Sequence, residues 1–426
     1  MAILSQIPTV KTAVNPDANL AANSADAPPP AVLVAKHHKP EVEAAAYAAR
    51  LNELHAISSP NTIPVSRPPI PSNLLSDLAS CLESRWWGYG PRCAVLEQQF
   101  TARRGGWALA TSSCTAALNV AAQLIRRSDG DEVIVPAITF VSTAMAFHIA
   151  GMHPIPVDVR PDTLLIDEES VIRHLTPRTR AVVVVHLYGQ HQDVSGLRML
   201  CDRHGLALIE DCAHRIGNLA ETPAGDFACY SFNAVKEAPA GEGGLLWARE
   251  AKLESVAREI TYLGMTIDTL QRSSTLLHRG YGFGCGSGGK LRLTDVAATF
   301  VLACLGHIDE WQAMRRSIFA RYEKELPMAI DSVALFPRLV TDSCLMFVVR
   351  LPPAERSSIR RALADVGIAT STHYPSLSRH PLWSQFAGPC PVAEQAEDEL
   401  LTLPCFPYMD SHAQDRVISA WETACR

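Results

Sequence analysis

The sequence predicts an α/β protein, with a mostly parallel central sheet and flanking helices in a large domain, then a smaller α+β domain. Three observations carry this. Short Val-, Ile- and Leu-rich runs such as DEVIVPA, RAVVVVHLYG and LALIED alternate with helix-like segments up to about Gly264. These runs are too uniformly apolar for half-exposed strands, so they read as strands buried on both faces. Beyond Gly264 a glycine-rich stretch, GYGFGCGSGGK, gives way to long helical segments and one strong strand.

The elements follow in order. WALATS is the first strand-like run, and a helix over Thr115–Ile125 follows it. DEVIVPA precedes a helix over Phe140–Ala150, and PIPVDV a short helix near Glu169. RAVVVVHLYG leads to a helix over Val194–His204; LALIED, ACYSFNA and GGLLWA complete the sheet. Thr294–Leu326 reads as helical, CLMFVVRL as a strand, ERSSIRRALADVG as a helix, and two more helical stretches close the chain. Residues 1–62 are rich in Ala, Pro, Asn and Ser and read as a flexible extension. One helix is expected in it, over Pro40–Ile57, with its proline in the first turn, where proline is tolerated. The expected domains are therefore 63–310 (large) and 311–426 (small).

Composition excludes several classes of function. The net charge of −6 comes without a long Lys/Arg cluster, so nucleic-acid binding has no electrostatic footprint. No apolar run reaches the length of a membrane span, and the N-terminus lacks the charged start and apolar core of a signal peptide. The twelve cysteines form no CxxC pair, and Cys229, Cys304 and Cys344 lie in apolar strings. Buried free thiols in a reducing cytoplasm fit this pattern better than disulfides or a metal site.

The chemistry concentrates on Lys236, in SFNAVKEAPAGEGG, and Asp211, in LIEDCAH, twenty-five residues earlier. A lysine close to glycines, with a carboxylate closing an apolar strand, is what pyridoxal phosphate (PLP) requires. The lysine holds the cofactor as a Schiff base, and the carboxylate keeps the ring nitrogen protonated. A desolvated lysine has a lowered pKa and is a better nucleophile. Strand alternation turns Glu210 and Asp211 to opposite faces, so one of the two meets the ring. Ser112, Ser113 and Thr115, in ATSSCTAAL, sit at a strand-to-helix junction. They serve as an N-cap, as a phosphate site, or as both. Ser231 offers another hydroxyl, while Phe140 is either core or a ring that stacks on the cofactor. His214, His186 and Tyr188 read first as structural hydrogen-bonding groups.

Many ordered motifs resemble one family. WWGYGPRCAVLEQQF, ATSSCTAALNVA, DEVIVPAITFVSTA, VDVRPDTLLID, VVVHLYGQHQDV, LIEDCAH, YSFNAVK, GEGGLL, GGKLRLTDVAA, THYP and PVAEQAEDELLTLPCFP are similar to PLP-dependent nucleotide-sugar aminotransferases of the DegT–DnrJ type, over about residues 63–426. The resemblance implies a fold-type-I architecture and a homodimer with shared active sites. It implies that Lys236 is the Schiff-base lysine and Asp211 the pyridinium partner. His214 matches the Gln/His position near the ring, Phe140 the stacking position, Cys114 and Thr115 the phosphate loop, and Ser231 the phosphate hydroxyl.

Three positions depart from the family. Cys114 stands where glycine is usual, which keeps the backbone N–H but adds a Cβ. Lys290 stands where many members carry an asparagine that reaches the partner subunit's phosphate, and a lysine serves there as a point charge. Leu263 replaces a basic residue before glycine, which leaves nucleotide-linked sugars, atypical sugars, cyclitols and other ketones open as acceptors. The implied reaction moves an amino group from an amino acid, glutamate or glutamine, to a keto group. The alternatives are another PLP or PMP reaction, such as a dehydration, or a non-catalytic PLP sensor. Dehydratase relatives replace the lysine by histidine, so Lys236 speaks against the first.

Overall fold

Seven strands form the central sheet of the computed structural model: β1 (Trp107–Thr111), β2 (Glu132–Pro136), β3 (His153–Val157), β4 (Thr179–Val185), β5 (Ala207–Cys212), β6 (Phe227–Ser231) and β7 (Gly244–Ala248). Their order is β1-β7-β6-β5-β4-β2-β3. Strands β6, β5, β4, β2 and β3 pair in parallel, and β7 runs antiparallel to both β6 and β1. The structure describes residues 61–102, 104–217, 221–273, 282–285, 288–326 and 333–425. The expected extension therefore lies outside the described residues up to position 60, as does its helix over Pro40–Ile57. Asn61–Arg426 forms one compact unit.

Each strand run of the sequence appears in the sheet because both faces are covered. On one face Leu109, Val133, Val135, Val183, Ile209 and Leu246 pack against the helices Cys114–Ile125 (α1) and Ser142–Ile149 (α2). On the other, Ile134, Val182, Val184 and Leu208 pack against Leu197, Leu200 and Cys201 of the helix Ser195–His204 (α3). Further along that face Ala228, Tyr230, Leu245 and Trp247 meet the helices Asp295–Leu305 (α4) and Ile308–Glu325 (α5). Burying one such aliphatic side chain contributes about 1.5–3 kcal/mol, which fixes the register of every strand. On β5 this register puts Ile209 and Asp211 on the α1/α2 face and Leu208 and Glu210 on the other.

A second sheet has the order β10-β9-β8, made of Ala334–Leu335 (β8), Phe347–Arg350 (β9) and Leu400–Leu403 (β10), all antiparallel. Its core includes Phe347, Val349, Leu401, Val417 and Trp421, with Ile318 and Tyr322 from α5. Ile63, expected to open the large domain, packs in this second core. Its N–H donates to the Gly367 carbonyl and its own carbonyl accepts from Ala369, both at 2.9 Å. The helical reading of Thr294–Leu326 resolves into α4 and α5, which break at Gly306 and His307. Among the described residues no helix is long and apolar enough to cross a membrane.

Candidate active site

One cavity of about 360 Å³ gathers the ends of β4, β5 and β6, the start of α1 and the loop after β6. It lies beyond the carboxyl ends of parallel strands, where open α/β sheets bind ligands. Seven of the eight sequence-selected residues line it: Cys114, Thr115, Phe140, Asp211, His214, Ser231 and Lys236. The eighth, Lys290, is exposed, bridges to Tyr262 and is not part of this lining.

Lys236 sits in the loop joining β6 to β7, which folds back on itself. The Lys236 N–H donates to the Asn233 carbonyl, and the Ala234 N–H to that of Gly241, both at 2.9 Å. The Asn233 side chain also donates to Glu242 at 2.9 Å. Burial lowers the Lys236 pKa to about 8, against the opposing pull of the Asp211 charge. At pH 7 roughly a tenth of such amines are neutral, against fewer than one in a thousand for an ordinary lysine. The rate at which apoprotein captures PLP should therefore rise with pH through about 8 and then level off. Stopped-flow absorbance between pH 6.5 and 9.5 reads this; a rate still climbing steeply at the upper limit would mean an unperturbed lysine.

Asp211 is 3% exposed. Its Oδ1 accepts from the Ala213 N–H at 3.0 Å and its Oδ2 from the Thr143 hydroxyl at 2.8 Å. Burial nonetheless pushes its pKa up, only partly offset by these bonds and by Lys236. A buried carboxylate in this state favours a cation in the cavity, which a protonated pyridine ring would supply. Glu210 faces away from the cavity. It accepts from His186 Nε2 at 2.9 Å and from the Gly225 N–H at 2.6 Å. His186, Glu210 and Cys212 bring possible ligand atoms within 4.8 Å of one another. Yet His186 Nδ1 accepts from the Gln192 N–H at 3.3 Å, so Nε2 carries the proton that Glu210 accepts. The cluster is a satisfied hydrogen-bonded pair rather than an open ligand set.

His214 shows its tautomer by its partners. Nδ1 accepts from the Tyr188 N–H at 3.1 Å, so Nε2 bears the proton and donates to the Tyr374 hydroxyl at 3.0 Å. Burial, followed by the nearby Lys236 and His373, holds its pKa well below the usual value, so the ring is neutral. Tyr374 stacks on His214 with centroids 5.9 Å apart and meets Phe140 at 5.6 Å. Phe140 lines the same cavity and is 54% exposed.

Ser113 caps α1, its Oγ accepting from the Ala116 N–H at 3.1 Å. The helix N-terminus lines the cavity with Cys114 and Thr115, so the cap is compatible with an anion site there. Gly244 of β7 makes this approach possible. A Cβ there would lie 2.3 Å from the Ser113 carbonyl carbon and 2.4 Å from the Cys114 nitrogen. Both neighbours are backbone and cannot swing aside. Gly244→Ala should displace the start of α1, weaken PLP retention about tenfold and cost about 1–3 kcal/mol of stability. Equilibrium dialysis and thermal denaturation read the two effects; unchanged PLP affinity would dissociate α1 from phosphate binding.

The sequence did not single out Thr143, the partner of Asp211, or His373 and Tyr374. Thr143 lies one turn beyond Phe140 in TFVSTA, the only local signal it carries. His373 and Tyr374 stand in THYP, more than 150 residues from His214, and meet it only through the fold.

A half-buried lysine and a buried carboxylate on one cavity, in a sheet of this topology, fit a PLP-dependent enzyme of fold-type-I architecture, and the family match makes it an aminotransferase. The chain belongs to the DegT/DnrJ/EryC1/StrS aminotransferase family, whose model matches residues 69–422. It is similar to the aminotransferase TlmJ from Streptoalloteichus hindustanus, with 30% identity and a TM-score of 0.77 over 85% of this chain and 98% of that one. AtS13 from Actinomadura melliaura matches with 26% identity and a TM-score of 0.74 over 86% of this chain and 99% of AtS13. The PMP form of the putative sugar aminotransferase Spr1654 from Streptococcus pneumoniae has the same fold. It shows 23% identity and a TM-score of 0.78 over 85% of this chain and 99% of Spr1654.

Proposed function

We propose that the enzyme moves an amino group from an amino-acid donor, glutamate or glutamine, to the keto group of a sugar or sugar-like acceptor, in a homodimer with shared sites. The observation that carries this is the Lys236–Asp211 pair on one cavity, which the start of α1 also lines. Bound PLP supplies the electron sink and the carrier for the amino group. Lys236 anchors the cofactor and, once released, takes and returns the proton at the substrate Cα as a general base. Its pKa of about 8 suits that task near neutral pH. Asp211 holds the proton on the ring nitrogen, and Thr143 and Ala213 orient the carboxylate. His214, fixed by Tyr188 and Tyr374, would meet the cofactor ring, and Phe140 would stack on it. The N–H groups at Cys114 and Thr115, with the Ser231 hydroxyl, bind the phosphate.

Lys290 is assigned to the partner subunit's phosphate. It follows Gly288 and Gly289 on the segment whose Leu291 carbonyl accepts from the Ser112 N–H at 2.7 Å. Lys290→Ala should weaken PLP retention about tenfold, the worth of one charge-assisted hydrogen bond. Mixed dimers of Lys290→Ala and Lys236→Ala chains should regain tight binding in half the sites; no regain would place Lys290 outside the partner's site.

The direct test is a pair of half-reactions. PLP-loaded protein is mixed with single amino acids, and release of the matching keto acid is measured. The amine form is then offered sugar ketones, cyclitol ketones and nucleotide-linked keto sugars. Failure of every amino acid to yield a keto acid would overturn the aminotransferase reading.

A further inference from the structure

A second cavity, also about 360 Å³, adjoins the cofactor cavity, and Val235, Met346 and His373 line both. Most of the rest of its lining comes from three distant parts of the chain, Ser66, Thr370–Ser371 and β10 with Cys405. Among the described residues its lining includes no Asp, Glu, Lys or Arg. Apolar groups alternate there with the hydroxyls of Ser66, Thr370, Ser371 and Thr402. The hydroxyls of Ser66, Thr370 and Ser371 have no hydrogen-bond partner among the described residues. Thr402 Oγ1 pairs with His373 Nδ1 at 2.8 Å, which leaves His373 Nε2 for a ligand at the junction of the two cavities. Burial, followed by Lys236, lowers the His373 pKa to about 4, so its ring is uncharged at neutral pH.

A phosphate or carboxylate in such a compartment would lose part of its hydration and meet no counter-charge in the lining, which is unfavourable. A ring bearing many hydroxyls meets the opposite situation. Its C–H faces lie on the apolar side chains while its hydroxyls, each donor and acceptor, satisfy the free Ser and Thr oxygens. We propose that this compartment takes the uncharged, polyhydroxylated body of the keto acceptor, read by Ser66, Thr370 and Ser371, with His373 at the passage to the reacting carbon. Any anionic part of the acceptor then lies outside it. This rests on the aminotransferase reading above and specifies which part of the acceptor the compartment holds.

The test is equilibrium dialysis on the full-length PLP-loaded protein. The probes are myo-inositol and methyl glucoside as unreactive neutral polyols, glucose 6-phosphate as their charged counterpart, and glutamine as the competing uncharged donor. At least one neutral polyol is expected to bind, with glucose 6-phosphate about tenfold weaker or more. The double variant Thr370→Val, Ser371→Ala should weaken polyol binding about tenfold through two lost hydrogen bonds. Ser66→Ala, on a separate segment, should act in the same direction. PLP content and melting temperature verify that each variant is folded. Binding of neither polyol, equal or tighter binding of glucose 6-phosphate, displacement of polyol by glutamine alone, or unchanged polyol affinity in both variants would each overturn the proposal. Failure of the parent reading shows separately, as wild-type protein that releases no keto acid from any donor.

Discussion

Lys236→Ala should yield a folded chain that binds PLP only reversibly and turns over at least about 10⁴-fold more slowly. The loop around position 236 is held by backbone bonds, Lys236 N–H to Asn233 and Ala234 N–H to Gly241, which the substitution leaves in place. It also removes a half-buried amine whose pKa burial has lowered to about 8, so melting temperature should not fall. Two functions disappear together: the covalent anchor and the base at the substrate Cα. The second alone accounts for a factor of roughly 10²–10⁴. Borohydride reduction followed by peptide mapping should label the Lys236 peptide in the wild type and none in the variant. A label on another lysine, or turnover within tenfold of the wild type, would remove Lys236 from its role.

The strands were legible because burial on both faces leaves a continuous apolar run, as in RAVVVV and ALIED. β10 was not. LLTL follows directly on the helix Pro391–Glu399, and four buried residues carry no period that separates strand from helix. The pairing of Ile63 with Gly367 and Ala369 was equally hidden, since it closes a loop of about three hundred residues. Alternation separated Glu210 from Asp211, but only packing decides which face holds the cavity. Ile209, two residues before Asp211, lies under α1 and α2, and that fact assigns the inner face. The positions around Lys236 were visible as motifs. Their supports, Thr143, His373 and Tyr374, were not, because a threonine or histidine far along the chain has meaning only once the fold brings it near. The lining of the second cavity is of the same kind: Ser66, Ser371 and Thr402 are unremarkable alone and converge only in three dimensions.

Asp211→Asn should retain PLP and lose about 10²–10³-fold or more in turnover, while the apoprotein stays as stable as the wild type or becomes more so. The hydrogen-bond network can absorb the change. The asparagine oxygen keeps the Ala213 N–H, and its amide donates to Thr143, whose own proton then turns to Thr139, 2.8 Å away. No buried polar atom is orphaned, and a buried charge is removed, which is neutral or favourable for folding. What is lost is the negative charge that holds a proton on the ring nitrogen, an electrostatic contribution of the size a single pre-organised group makes to transition-state stabilisation. The same loss acts on Lys236, whose pKa the Asp211 charge now raises. Without it the lysine should titrate below about 8, and PLP capture should reach its plateau at lower pH. Three measurements therefore move together: melting temperature level or up, capture profile shifted to lower pH, turnover down. Lost turnover accompanied by a falling melting temperature would point to a structural role for the carboxylate. Near-wild-type turnover would show that the charge on Asp211 is not what stabilises the reacting carbon.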